Sequence, residues 1–295
     1  MTLLRTPEER FQNLPGYNFF PHYVDIGGAR VHYIDEDAGE QVLFLHGEPS
    51  WCYLYRKMIP PLVSAGYRAI AMDFIGFGRS DKFAEREAYS YQMHVDTLWA
   101  LIQQLELHDI TLFVQDWGGL IGLRVAAEHP ELFWRIIAAN TGLPTGERRP
   151  REAFLRWLRF SQTSPTFNIG RLIQNSTVTQ LPDDVVAAYN APFPDETYMV
   201  GARIWPSLVP ISPDQPGAEE NRKAWQVLRR WEKPFLTAFS DSDPVTKGGE
   251  RIFQDTVPGA KNQPHVTITE AGHFLQEDKG EELATIVTDF MAHTW

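Results

Sequence analysis

The chain has 295 residues, 43% of them apolar and 13% aromatic, with a formal net charge of −11. That much apolar material can bury a large core and excludes a disordered chain, while the acidic balance excludes a nucleic-acid partner and disfavours an anionic membrane surface. No run has the apolar length a membrane span requires, and one cysteine, Cys52, leaves no intramolecular disulfide to form. The first residues, M-T-L-L-R-T-P-E-E-R-F, lack the apolar core of a signal peptide, so the cytoplasm is the expected compartment. With no CxxC, no HExxH and scattered histidines, neither a metal nor a cofactor is expected.

In chain order, Tyr23 to Asp25 and Ala29 to Tyr33 flank Gly27-Gly28 and read as a β-hairpin. Val42 to Leu45 is a short buried strand ending in His46-Gly47-Glu48-Pro49, and helical text follows from Tyr53 to Val63. Arg68 to Met72 is another strand, closed by D-F-I-G-F-G-R-S-D. Its Gly76 and Gly78 suit a turn, since position 81 is Asp and no helix opens there for a dinucleotide. Tyr91 to Leu105 is helical. Ile110 to Val114 is a buried strand that turns at Asp116 into the helical run Leu120 to Ala127, and Arg135 to Ala139 is the next strand.

From Thr141 to about Pro216 the text changes to Pro, Trp, Phe and Arg, with helical pieces at Glu152 to Phe160 and Asp183 to Tyr189 and no obligatory strand. Helix resumes at Ala218 to Arg230, strands at Pro234 to Phe239 and Val266 to Thr269, and helix again at about Gly280 to Ala292. Strands alternating with helices predict an α/β class with a mostly parallel sheet and helices on both faces. The expected division is a core over 1–140 and 217–295, with 141–216 inserted as a helical cap over the carboxyl ends of the strands.

Three reactive segments fall at strand ends: the one with Asp116, then S-D-S-D-P with Asp241 and Asp243, then E-A-G-H-F with His273. A residue on a sharp strand-to-helix bend, followed in the chain by an acid and a histidine, is the α/β-hydrolase arrangement. Asp116 alone could be a helix cap; the order of the other two favours a nucleophile. An aspartate is ionised at neutral pH in water and needs no base to activate it. Its attack on carbon gives an ester, which a hydroxide made by His273 cleaves at the carboxyl carbon. Asp243 would orient the imidazole, with Asp241 as its competitor, since spacing cannot separate them. The backbone N–H groups of Glu48 and Trp117 are expected to stabilise the oxyanion.

The segments H-G-E-P-S-W-C-Y-L-Y-R (His46 to Arg56), D-F-I-G-F-G-R-S-D (Asp73 to Asp81), V-Q-D-W-G-G, A-P-F-P-D-E-T-Y (Ala191 to Tyr198) and A-G-H-F-L-Q-E-D carry a resemblance over nearly the whole chain. In this order they resemble the haloalkane dehalogenases. The resemblance implies a small halogenated aliphatic substrate that reacts with water to give a primary alcohol, a halide ion and a proton, without a cofactor. It implies that the Trp117 indole N–H faces the leaving halide. A second donor is then needed, because a bare anion in a dry pocket is costly. One branch of the family takes it from an Asn where this chain has Glu48; the chain resembles the other branch, which uses a cap Trp. Trp157 is the expected donor, and Phe167, the other position considered, has no N–H. That branch also places its acid after the later strand, which fits Asp243-Pro244 and a non-acidic Asn140.

Arg56, Asp73 and Arg79 read as structural anchors, His46 as a buttress of the Gly47 loop, and Phe154, Phe160 and Phe167 as cavity lining or cap core. The rival reading is an epoxide hydrolase, which shares Asp, His and acid but activates oxygen with cap tyrosines, here Tyr189 or Tyr198. A receptor that kept the fold would not require Asp116, Asp243 and His273 together. A monomer is expected.

Overall fold

The apolar runs become the centre of an eight-stranded sheet in the computed structural model, which describes residues 2–294. The strands are β1 (His22–Ile26), β2 (Ala29–Glu36), β3 (Gln41–Leu45), β4 (Arg68–Met72), β5 (Ile110–Gln115), β6 (Phe133–Ala139), β7 (Phe235–Ser240) and β8 (Val266–Ile268). Their spatial order is β1-β2-β4-β3-β5-β6-β7-β8. The β1–β2 hairpin and the β2–β4 pair are antiparallel, and every other neighbouring pair is parallel. All of β5 is buried, which is why it is written as an unbroken apolar run.

Helices α1 (Ile59–Ser64), α2 (Tyr91–Gln104) and α3 (Trp117–Glu128) alternate with the strands up to β6. Next come α4 (Glu152–Thr163), α5 (Ile169–Gln174), α6 (Asp183–Asn190) and α7 (Val200–Leu208), with no strand between them. The alternation resumes with α8 (Ala218–Leu228), α9 (Glu250–Thr256) and α10 (Leu275–His293). Helices α2, α3 and α8 pack as one group and α1 with α10 as another. None of the helices among the described residues is long and apolar enough to cross a membrane.

Two expected helices are corrected. The Tyr53 to Val63 run is a 3₁₀ turn over Cys52–Tyr55 followed by α1, because Pro60 and Pro61 lack an N–H and are tolerated only in the first turn of a new helix. The last helix begins at Leu275 instead of Gly280, with a kink where Lys279 leaves helical dihedrals. Helices α5, α7 and α9 have no expected counterpart; α5 and α9, at six and seven residues, are too short for the 3.6-residue period to show, and α7 carries Pro206 inside it.

The segment after β4 is a turn built around a buried carboxylate. Asp73 accepts from the backbone N–H groups of Cys52 and Arg79, each at 2.8 Å, and lies 2.7 Å from the His32 Nδ1. Burial alone would push Asp73 up, but the His32 partner and these donors hold it below its ordinary range. Its oxygens are thus taken by the protein, although His32, Cys52 and Asp73 bring metal-ligand types together. Arg56 pairs with Glu277 on α10, which also receives the Tyr189 hydroxyl from α6. Arg56 and Asp73 are therefore anchors, as their sequence context suggested.

Candidate active site

The site is assembled at the carboxyl ends of β3, β5, β7 and β8. Asp116 follows β5 with φ 50° and ψ −122°, a conformation an L residue adopts at a cost of ~1–3 kcal/mol. Packing of the elbow enforces it. A Cβ on Gly118 would lie 2.0 Å from the Leu45 carbonyl oxygen, so α3 can start this close to β3 only with glycine there. The Asp116 backbone is held at both ends: its N–H donates to the Asn140 carbonyl at 3.0 Å, and its carbonyl accepts from the Thr141 hydroxyl at 2.7 Å.

The Asp116 carboxylate meets Glu48 and His273, while among the described residues the Trp117 backbone N–H makes no bond to it. The Glu48 N–H donates to its Oδ1 at 2.8 Å, and Gly47 must lack a side chain because a Cβ would sit 2.4 Å from the Asp116 Cβ. His46 ties that loop to the turn after β4 by accepting from the Phe74 N–H on Nε2 at 3.1 Å. The His273 Nε2 stands 3.5 Å from Asp116 Oδ2, and its Nδ1 lies 2.9 Å from Asp243 Oδ2. Asp243 is fully buried and also accepts from Val245 N–H, Thr246 N–H and the Thr246 hydroxyl. Asp241, its competitor, turns away and accepts from the backbone N–H groups of Glu270 and Ala271.

The charges of the pair reinforce each other. Burial pushes Asp243 up, but the adjacent His273 and the hydroxyl and backbone donors bring it down to about 2. Burial pushes His273 down, yet Asp243 and Asp116 together raise it well above its usual value.

Residues given no such role by the sequence fix the histidine loop. The Asn140 amide donates to the Ser240 hydroxyl at 2.8 Å and to the Gly272 and His273 carbonyls at 3.0 Å each. Gln115 Nε2 donates to the His273 carbonyl at 3.1 Å, and the His273 N–H donates to the Ser176 carbonyl at 2.8 Å. Asn140 directly follows β6, beside the elbow strand; that adjacency was a usable signal.

The two indoles differ. Trp117 is backed by Trp205, with ring centroids 4.9 Å apart, and Trp205 is anchored through its indole N–H on His94. Among the described residues the Trp117 indole N–H has no hydrogen-bond partner, and the side chain lines the cavity. Trp157 also lines the cavity, but its indole N–H donates to Glu48 Oε2 at 2.9 Å. The Glu48 side chain was not foreseen in this role. Burial first, and then the nearby Asp116, push its carboxyl well above the ordinary range. Phe167 stacks on Trp157 at 5.7 Å. Of Phe154, Phe160 and Phe167 only Phe154 reaches the cavity; Phe167 is spent behind Trp157 and Phe160 is exposed.

The cavity has a volume of about 900 Å³ and is lined at its buried end by Glu48, Asp116, Trp117, Leu120, Trp157 and His273. Neither Tyr189 nor Tyr198 lines it, and Tyr189 is committed to Glu277.

Comparison with known proteins agrees with this geometry. Residues 41–280 match the family model described as alpha/beta hydrolase fold. The chain is 56% identical to a haloalkane dehalogenase of Psychrobacter cryohalolentis, covering 99% of this chain and 98% of that one, and 51% identical to one of Mycobacterium marinum, covering 96% and 98%. Among solved structures it is similar to the haloalkane dehalogenase DpaA from Paraglaciecola agarilytica NO2, described as tetrameric, with a TM-score of 0.93, 35% identity and 99% of both chains covered. With an aspartate at the elbow, an acid–histidine pair behind it and full-length similarity of this degree, the chain belongs to the haloalkane dehalogenase family of the α/β hydrolases.

Proposed function

We propose that the protein hydrolyses haloalkanes through an ester on Asp116. One observation carries the reading: a carboxylate on a strained elbow faces a cavity that also holds an unpartnered indole N–H, with a histidine–aspartate pair 3.5 Å away. The Asp116 oxygen not held by Glu48 attacks the carbon, and the electrons of the carbon–halogen bond leave with the halide. Trp117 receives that anion through its indole N–H. Trp157 joins it by exchanging Glu48 for the halide, and the burial that raises the Glu48 carboxyl works against its charged form, the stronger acceptor. His273 then takes a proton from water, and the hydroxide adds to the Asp116 carboxyl carbon. The Glu48 and Trp117 backbone N–H groups stabilise the oxyanion. Collapse releases the alcohol and restores Asp116, and the proton leaves His273, so haloalkane and water become alcohol, halide and H⁺.

In this reading residues 141–216 are the cap that supplies Trp157, and 1–140 with 217–295 are the core. We keep the monomer, since nucleophile, base, acid and both indoles come from one chain, and the cytoplasm, from the single cysteine. The test offers brominated alkanes and follows bromide and proton release in equal amounts, with styrene oxide alongside. Opening of the epoxide without bromide release from any alkane would replace this reading with the epoxide hydrolase one.

Trp157→Phe is expected to weaken bromide binding about tenfold, the worth of one charge-assisted hydrogen bond reduced by the lost Glu48 contact. Quenching of the remaining tryptophans by bromide measures it. Unchanged affinity would move the second donor elsewhere.

A further inference from the structure

The cavity has two chemically different ends. Its buried end holds the reacting groups, while its open end is lined by Arg148, Arg149, Arg151, Arg156, Arg222 and Arg229. Of these, Arg222 is paired with Glu219 at 2.8 Å, and the other five make no ion pair among the described residues. Glu147, exposed and bonded to the Thr145 hydroxyl, is the acidic side chain lining that end. In a chain with net charge −11, five unpaired guanidinium groups around one opening run against the charge of the molecule.

The backbone that carries these arginines is fixed. Helix α8 turns Arg222, Trp225 and Gln226 to the cavity, and its C-cap residue Arg229 extends the same i, i+3, i+4, i+7 stripe. The same helix pins the loop that precedes α4. Trp225 Nε1 donates to the Leu143 carbonyl at 2.8 Å, Asn221 Nδ2 to the Pro144 carbonyl at 2.7 Å and Arg222 Nη1 to the Thr145 carbonyl at 3.3 Å. Gly146 then approaches Ser212 so closely that a Cβ would lie 2.2 Å from its carbonyl. Arg148 and Arg149 follow directly from this anchored stretch, and Arg151 and Arg156 continue the ring at the start of α4.

We propose that this rim binds a carboxylate, and that the preferred substrates carry one at the end opposite the halogen: an ω-haloalkanoate, released as the ω-hydroxyalkanoate and halide. The inference rests on the dehalogenase reading above and names its substrate class. A guanidinium holds a carboxylate bidentately. Its anchorage at the rim leaves the carbon–halogen end to reach Asp116 along the apolar part of the cavity. The volume of about 900 Å³ lies in the range that takes a ligand much larger than a short haloalkane.

The test compares kcat/KM for 6-bromohexanoate, 1-bromohexane and 6-bromohexyltrimethylammonium by bromide release at low ionic strength. The acid is expected to exceed the neutral bromide about tenfold and the cation to fall below it, with the order compressed by added sodium sulfate. Combining Arg149→Gln, Arg151→Gln and Arg156→Gln is expected to cost about tenfold in kcat/KM for the acid, through KM, and to leave 1-bromohexane within about twofold. Arg149→Gln alone serves if the triple variant melts early. Equal kcat/KM for the three bromides overturns the proposal. So does a variant that changes only inhibition by bromide, since the rim would then serve the departing halide. Absence of bromide release from all three, 1-bromohexane included, would instead overturn the dehalogenase reading itself.

Discussion

His273→Phe is expected to stop the reaction after one turnover, with the alkyl group left on Asp116. On the proposed route, displacement of the halide draws on the Asp116 carboxylate and the indole donors, and none of these passes through the imidazole. Hydrolysis of the ester does, because His273 is the base 3.5 Å from the esterified carboxyl group. A positioned general base contributes about 10²–10⁴-fold, so steady-state turnover should fall by at least that factor while the first step survives. The signature is a burst of one bromide per enzyme and an intact mass raised by one alkyl group. An unmodified mass after long incubation with a substrate that wild type turns over well would remove the covalent route.

The elbow aspartate, the histidine and the sheet around them were legible because each is local. Strand β5 is a continuous apolar run, the bend is written in Trp117-Gly118-Gly119, and His273 follows a short strand behind Ala-Gly. What the sequence could not separate depends on contacts between distant segments. Asp241 and Asp243 differ because one is drawn to the backbone of Glu270 and Ala271 and the other to the His273 ring, a choice made by the fold of the turn. Trp157 was identified as a donor, but its bond to Glu48 joins α4 to the loop after β3 across 109 residues. Tyr189 looked available for oxygen activation until its partner, Glu277 on α10, was in view. Asn140 was weighed only as a missing acid, yet its amide holds the carbonyls of Gly272 and His273.

Asp243→Asn is expected to lower turnover about 10³–10⁴-fold and to move the acid limb of the pH profile to lower pH. Burial of His273 favours the neutral ring, but two carboxylates, Asp243 and Asp116, outweigh that and raise it well above its usual value near 6.5. Esterification of Asp116 removes one of the two negative charges that raise the ring, so the first chemical step shifts His273 toward the neutral form that a base needs. Asp243 remains to fix the tautomer through Nδ1 and to stabilise the imidazolium that forms. An asparagine keeps the shape and loses the charge, hence the large loss in the second step and the ring's lower affinity for its proton. The same pair predicts a stability difference with a defined sign. Asp243, brought down from 3.8 to about 2, contributes stability above 3.8 that is lost as pH falls toward 2. His273, raised above 6.5, contributes stability below 6.5 that is lost as pH rises through its folded value. The gap in melting temperature between wild type and Asp243→Asn should therefore be widest between those limits and narrow on both sides. A gap that stays flat across pH would mean that the buried aspartate acts through its hydrogen bonds to Val245 and Thr246 and not through the charge it shares with His273.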